Sequence, residues 1–515
     1  MSNRPAVSRL EFAGITLATL GFLVASTSLP ARDQPLGTDW YAYAQNALAL
    51  SEGPLSAYDH WRGPVHAWAC LALARPFGSL VAASQAVSAV SLTAALPLTW
   101  WLGRAVVGRT SAALATLLLA CNADFLLFSR TSTPYPLFTM LLLASFAASW
   151  LAWEKQSARW AALAGGLIGV AAGTDARCFA YALPVLAISG VVTSPNSESR
   201  AQRLTRLSIL GIAIALTWAM VRTICPVELV SLPDQFILQR NLNHAGFPGI
   251  CGGPEPDFPG LDEWFSRCGR DTFRLNLARA DAAVPIPWAY MFALSVVGLF
   301  TRADDQRARA WLLAIPLLPL FFSLPIVGVE HRHVLPVAPY GALLLAAGGT
   351  GVVDRLARRA KRGDSRVTFV LCTVLVGWFA RAWYRHPGSP SFRARSGLAT
   401  QGHAPAQRLG DTGGIIGITR MLRDDADPQD RIVDCARAGL NLRLYPTRVE
   451  ENGVGPGGRA SSACRRMLAA PSVLTHTTKH TWLLTEVRAD DAVATDWMPL
   501  TSYGAGEGRV TLYRR

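Results

Sequence analysis

Residues 137–153 read LFTMLLLASFAASWLAW, an apolar run without a single charge. Residues 10–29 and 111–128 are also strongly apolar, each with a single acidic residue, Glu11 and Asp124, and such stretches approach or exceed the ~18 to 20 residues a helix needs to cross hydrocarbon. The wider composition agrees. The 515 residues are 51% hydrophobic and only 16% charged, against about 25% charged in an average soluble protein. This excludes a purely soluble multidomain enzyme and predicts a polytopic α-helical membrane protein. The apolar pattern fades over roughly the last 130 residues, which leaves room for a small soluble domain beyond a membrane part of about 380 residues.

Working outward from 137–153, apolar segments lie near 10–29, 79–102, 110–128, 134–153, 159–173, 176–192, 205–223, 284–300, 310–327, 334–352 and 367–383, about eleven spans. One further stretch, 65–74, covers only ~15 Å as a helix and is too short to span. With the N-terminus in the cytoplasm, the basic clusters around Arg104, Arg109, Lys155, Arg200, Arg203, Arg206, Arg307 and Arg355 to Arg366 fall inside. Only Arg32, Arg62, Arg75, Arg130, Arg177 and Arg332 remain in short outside loops, as the positive-inside rule requires. The formal net charge of +14 is therefore read as orienting the chain, and no nucleic-acid partner is expected. The first segment is read as a span, since its apolar run exceeds the 7–15 residues of a signal-peptide core.

This topology divides the chain into a membrane domain over 1–383, a linker over 384–414 rich in Gly, Pro, Ser and Arg, and an extracytoplasmic α/β domain over 415–515. Strands are expected at 431–435, 441–445, 481–487 and 509–513. Two loops, 30–78 and 225–283, are long enough outside the membrane to suggest function. Cys251 with Cys268 and Cys435 with Cys464 form two even sets on an oxidising face, so two disulfides are expected there. The remaining cysteines lie in or beside apolar segments, where packing is the default role.

The first outside loop carries Asp39 ahead of Trp40, Tyr41, Tyr43, Ala44 and Ala47, a run that reads as an amphipathic helix along the membrane surface. Asp39 either caps this helix or presents a carboxylate at the water boundary. Further along, Arg62-Gly63-Pro64 precedes the short apolar stretch. Arg62 there either snorkels or receives a phosphate head group.

The order of an early Asp in an outward loop, a Tyr-rich surface helix, a basic residue with Gly-Pro before an apolar stretch, and then Phe77-Gly78 opening the next span resembles the GT-C glycosyltransferases. The branches it is most similar to are the protein O-mannosyltransferases and the lipid A aminoarabinose transferases. The resemblance covers roughly residues 10–355, in hydropathy and sparse motifs. It implies that Asp39 is the catalytic base or acceptor-binding carboxylate and that Arg62 lies near a lipid phosphate, with Tyr43 on the intervening helix a substrate contact. The family commonly has an Asp-Glu pair in this loop; here Trp40 follows Asp39, so a divalent metal stays an open option and no other cofactor is implied.

Other outward turns extend the resemblance. Ser129-Arg130-Thr131-Ser132-Thr133-Pro134 keeps the family's Arg without its acid. Gly173-Thr174-Asp175-Ala176-Arg177 makes Arg177 a second phosphate candidate, or an ion-pair partner of Asp175. Glu330-His331-Arg332-His333, followed by Leu335-Pro336, marks Arg332 and, more weakly, His333. Breaking an anomeric C–O bond to a lipid phosphate builds negative charge, which bidentate arginines stabilise, and a positioned carboxylate takes the acceptor hydroxyl's proton. A donor tethered in the bilayer needs no nucleotide pocket, and the chain has no GxxxxGK[ST] loop or HExxH helix. The expected activity is sugar transfer from a polyprenyl-phosphate donor to a lipid, glycan or protein acceptor outside the cytoplasm. The alternative is a transporter or flippase of lipid-linked saccharides, which would bury its polar residues at the bilayer midplane.

Overall fold

A computed structural model describes residues 9–28, 43, 46–51, 55, 58, 62–77, 80–175, 178–179, 199–229, 300, 313, 317, 335–359, 431–434, 450–451, 481–486, 498–503 and 510–514. The helices are α1 (Arg9–Ser28), α2 (Val65–Phe77), α3 (Leu80–Val106), α4 (Arg109–Ala120), α5 (Ala123–Phe128), α6 (Tyr135–Glu154), α7 (Ala158–Ala172), α8 (Arg200–Ile224) and α9 (Ala338–Arg359), the last entered through a 3-10 turn at Leu335–Val337. Among the described residues, four helices are long and apolar enough to cross a membrane: Ala82–Val106, Tyr135–Glu154, Arg200–Ile224 and Leu335–Arg355. Shorter apolar helices cover Glu11–Thr27, Arg109–Ala120 and Ala158–Ala172. The expected span at 367–383, and nearly all of 176–192, 284–300 and 310–327, lie outside the described residues, as do the linker and most of the 225–283 loop.

One expected span is divided. Residues 110–128 form α4 and α5 rather than one helix, because Asn122 Oδ1 accepts the Phe125 amide at 3.0 Å and starts a new helix. Cys121 at the break is exposed, whereas Cys70, Cys178 and Cys225 are buried. The 65–74 stretch is helical through Phe77, and at 13 residues it reaches only about 20 Å.

The chain divides into two compact units. The first comprises Met1–Leu29, His60–Ala69 and Ala86–Phe392. At its centre is α6, apolar on every side and buried along nearly its whole length, as expected of a helix packed all round. Phe146 on α6 meets Tyr340 of α9 edge-on, ring centroids 5.6 Å apart. By contrast α8 exposes Leu204, Ile212, Leu216, Met220 and Ile224, a face suited to lipid tails.

Small residues set the closest helix approaches. Gly165, Gly169 and Gly173 recur every fourth position, one face of a helix. A Cβ on Gly165 would overlap the Leu210 carbonyl, one on Gly169 would lie 2.7 Å from Thr217 Cβ, and one on Gly173 would lie 2.6 Å from Val221 Cγ1. This stripe lets α8 lie directly on α7, as in small-xxx-small packing between membrane helices. At the α3–α4 corner Gly108 adopts φ 96°, a left-handed conformation that suits glycine, and its amide bonds back to the Gly103 carbonyl at 3.0 Å.

Polar side chains gather at the two ends of this helix set. At one end, the Glu11 carboxylate of α1 pairs with Arg104 and Arg109, accepts the Trp100 indole N–H at 3.1 Å, and Arg104 lies over the Trp100 ring. Arg104 and Arg109, expected only to orient the chain, therefore also anchor α1. At the opposite end the C-terminus of α1 meets the turn that begins at Ser129.

The second unit comprises Pro30–Asp59, Cys70–Gln85 and Arg393–Arg515. Its sheet has the order β2-β1-β3-β5-β4, from β1 (Arg431–Asp434), β2 (Glu450–Glu451), β3 (Thr481–Glu486), β4 (Met498–Tyr503) and β5 (Val510–Arg514). β1 runs parallel to β2 and β3, while β5 is antiparallel to β3 and β4. The strands expected at 431, 481 and 509 are present; the one expected at 441–445 lies outside the described residues. β4 is unanticipated. It is an edge strand with Pro499 next to a register shift, a place where proline's missing N–H costs no ladder bond. In the first loop, residues 46–51 are helical, and Tyr43, Asn46, Ala47 and Ala49 are buried.

Candidate functional site

Arg62, Gly63 and Pro64 bring the chain into α2. Proline fixes the entry geometry and lacks the N–H that the first turn of a helix leaves unpaired. The Trp68 amide then bonds the Pro64 carbonyl at 2.9 Å. Main chain docks this turn onto the end of α7. The Val65 amide donates to the Gly173 carbonyl at 3.2 Å, a Cβ on Gly63 would overlap that same carbonyl, and one on Gly173 would fall 2.8 Å from Val65 Cγ2. Gly173 thus accepts Val221 from α8 and the Arg62 turn together.

Beyond Gly173 the chain turns tightly. The Thr174 and Asp175 amides both donate to the Ala171 carbonyl at 2.9 Å, and the Cys178 amide returns to the Asp175 carbonyl at 3.0 Å. The structure therefore brings the Arg62 turn against the turn leading to Arg177, two of the outward turns singled out in the sequence. Arg177 itself lies outside the described residues, with Asp39, Arg332, His333 and the four cysteines expected to form disulfides.

Two residues at this junction escaped the sequence reading. His66, four positions after Arg62, is 2% exposed; burial first, and the Arg62 charge second, push its pKa down to about 4, so the imidazole is neutral at pH 7. Its signal was a histidine one turn beyond the Gly-Pro corner. Arg222 lies in the last turn of α8, next to Val221. Its guanidinium lies 5.2 Å from the Trp218 ring centroid and Nη2 donates to the Leu229 carbonyl at 2.6 Å. Trp218 in turn meets Phe179 edge-on at 5.6 Å. Arg222 was hidden inside the apolar window of its span.

Arg130 belongs to a second junction. Its Nη2 donates to the Ala25 carbonyl at 2.6 Å, placing a cation where the α1 dipole is negative. Ser129 Oγ donates to Ser26 Oγ at 2.8 Å, and Ser88 Oγ donates to the Thr131 carbonyl at 2.5 Å. Half-burial lowers the pKa of Arg130 from its ordinary value, but a guanidinium stays charged under any working condition. Tyr43, the remaining candidate, is 7% exposed, packed rather than lying open along a surface. Among the described residues no group of three His, Cys, Asp or Glu side chains is placed to hold a metal ion.

No protein-family model matches the chain, and no curated protein matches it. Solved structures do. The crystal structure of ArnT from Cupriavidus metallidurans bound to undecaprenyl phosphate is 13% identical, covers 99% of this chain and 98% of its own, and superposes with a TM-score of 0.56. The Archaeoglobus fulgidus oligosaccharyltransferase, in complex with Zn and sulfate, is 14% identical with a TM-score of 0.55, over 91% of this chain and 67% of that one. The same archaeal enzyme, AglB, with an inhibitory peptide and a dolichol-phosphate, is 12% identical with a TM-score of 0.52, over 92% and 69%. The chain therefore has the same fold as ArnT and the archaeal oligosaccharyltransferase.

Proposed function

We propose that this chain is an integral membrane glycosyltransferase that moves a sugar from a polyprenyl-phosphate donor to an acceptor hydroxyl on the extracytoplasmic face. The observation that carries the reading is the backbone docking of the Arg62 turn on Gly173, which sets the Arg62 turn beside the turn running toward Arg177. The fold adds support, since the ArnT structure with the same fold holds undecaprenyl phosphate and the AglB structure holds a dolichol-phosphate.

In this reading Asp39 takes the proton from the acceptor hydroxyl as its oxygen attacks the anomeric carbon. The C–O bond to the lipid phosphate breaks, and the electron pair leaves with the phosphate. Arg62 and Arg177 hold the growing charge, where fixed donors act without reorganising; Arg332, His333, Arg130 and Tyr43 bind donor and acceptor around them. The N-terminus lies in the cytoplasm and the C-terminal domain outside.

The test is transfer by purified protein from a polyprenyl-phosphate sugar to an extract of candidate acceptors. Asp39→Asn and Arg62→Ala, compared at equal expression, are expected to lose at least about a hundred-fold in rate, in the range of general base and charge stabilisation. Normal transfer by Asp39→Asn removes the base, and saccharide transport without transfer by the unaltered chain replaces the reading with a flippase.

A further inference from the structure

The turn between α5 and α6 spends only part of its polar capacity. Ser129 Oγ is hydrogen-bonded to the Leu126 carbonyl and to Ser26 Oγ, and Thr131 Oγ1 donates to the Phe128 carbonyl at 3.0 Å. Three further atoms of the turn, Arg130 Nε, Ser132 Oγ and Thr133 Oγ1, are buried without a hydrogen-bond partner, while Arg130 Nη2 is held by the Ala25 carbonyl. Ser132 and Thr133 are both 0% exposed, so bulk water does not reach them. Buried polar atoms are nearly always satisfied, and a group left over marks a place where a further partner belongs.

These three atoms stand just before the N-terminus of α6, a helix of 20 residues whose N-cap is Pro134 with no side-chain cap. Ser and Thr are the residues that ordinarily cap such an end, yet neither hydroxyl does so here. The helix end therefore keeps its positive pole toward the turn. Arg130 Nε can only donate. No acidic residue occurs between Phe128 and Glu154 in sequence. Every group in the turn can donate and none carries negative charge, which is the chemistry of an oxyanion site.

We propose that Arg130, Ser132, Thr133 and the N-terminus of α6 bind a phosphate oxyanion. The assignment deepens the proposed transferase reading by giving its substrates a phosphate contact separate from the Arg62 turn. It does not need that reading to be tested.

The experiment uses the full chain in detergent or nanodiscs and follows thermal unfolding with inorganic phosphate, with a polyprenyl phosphate, and with the neutral polyprenol, at matched ionic strength. The informative variant is Ser132→Ala with Thr133→Val, which keeps shape and deletes the two unpaired hydroxyls. Removing unpaired buried polar atoms is neutral or stabilising to a fold that does not otherwise use them. The double variant is therefore expected to melt at or above the unaltered protein's temperature without ligand, and to bind phosphate or polyprenyl phosphate at least about ten-fold more weakly. Stabilisation by both phosphates assigns the site to the shared head group; stabilisation by the lipid form alone assigns it to a lipid phosphate. Arg62→Ala, with the 129–134 turn intact, is expected to keep this component, so a failure of the Arg62 reading does not mask the result. The proposal is overturned if neither phosphate stabilises the protein, if polyprenol does so equally, or if the double variant binds normally. It is also overturned if the double variant melts well below the unaltered protein, which would make the hydroxyls structural.

Discussion

The Gly173 carbonyl accepts the Val65 amide at 3.2 Å, so the entry to α2 is fixed by main chain to the end of α7. The relationship depends on missing side chains. Gly63 lies against the same carbonyl, and Gly173 has Val65 on one side and Val221 on the other. The position of Arg62 is thus set by the closeness of two backbones, with α8 as the backing.

Gly63→Ala is expected to push the Arg62 turn off Gly173, because the added carbon meets backbone that cannot swing aside. Overpacking of this kind costs about 1–3 kcal/mol, and a misplacement near 1 Å lowers rate about a hundred-fold. Gly21→Ala in α1, with open space around it, serves as the control. Melting temperature and sugar transfer are measured together; a Gly63→Ala protein with unaltered transfer would separate Arg62 from the chemistry.

The α7–α8 seam makes a related prediction about stability. Gly169→Val forces α8 away at Thr217 and is expected to cost about 1–3 kcal/mol. Gly166→Ala, one position off the seam with only Thr217 Oγ1 at 3.7 Å, is expected to be tolerated. Equal melting temperatures for the two variants would mean that the stripe does not set the helix approach.

How much of this was legible follows from what kind of signal each feature leaves. The runs at 134–153 and 205–223 are visible because apolar length is a property of the residues themselves. The division of 110–128 is not, because hydropathy averages over Asn122 while a single side-chain cap starts a new helix. Arg62 announces itself through Gly-Pro, but its docking partner Gly173 is remote in the chain, and a contact between two glycines leaves no periodicity. β4 escapes because Pro499 and the bulge beside it break the alternation a strand needs. Arg104 and Arg109 look like any cytoplasmic-loop charges until Glu11 is found between them.

His66 gives a pH signature. Its folded pKa of about 4 lies below the ordinary value of 6.5, so between these values the unfolded chain binds more protons than the folded one. Stability from the neutral imidazole is full above about pH 6.5 and is lost as pH falls toward about 4. Between pH 7 and pH 5 the loss is expected to be about 2 kcal/mol, and His66→Phe is expected to flatten that part of the profile. Arg62→Ala removes the smaller cause and is expected to make the slope shallower. Denaturant or thermal unfolding at several pH values reads this directly; identical slopes for His66→Phe and the unaltered chain would assign the pH dependence elsewhere.

Glu11 tests whether the basic residues at the other end of α1 do more than orient the chain. Its carboxylate is 8% exposed and shared among Arg104, Arg109 and Trp100. Arg109 is 41% exposed, so water screens part of that pair, and the indole bond and the Arg104 pair carry most of the effect. Glu11→Gln keeps the shape, preserves an acceptor for Trp100 and removes the charge; it is expected to cost about 1–2 kcal/mol. Glu11→Leu also strands the Trp100 N–H and is expected to cost about 1–3 kcal/mol more. Combining Glu11→Gln with Arg104→Gln is expected to cost less than the sum of the two, because each single change already breaks the shared pair. Strict additivity in that double-mutant cycle would return Arg104 to an orienting charge and leave α1 held by the apolar contacts of Ile15 with Trp100 and Ala112.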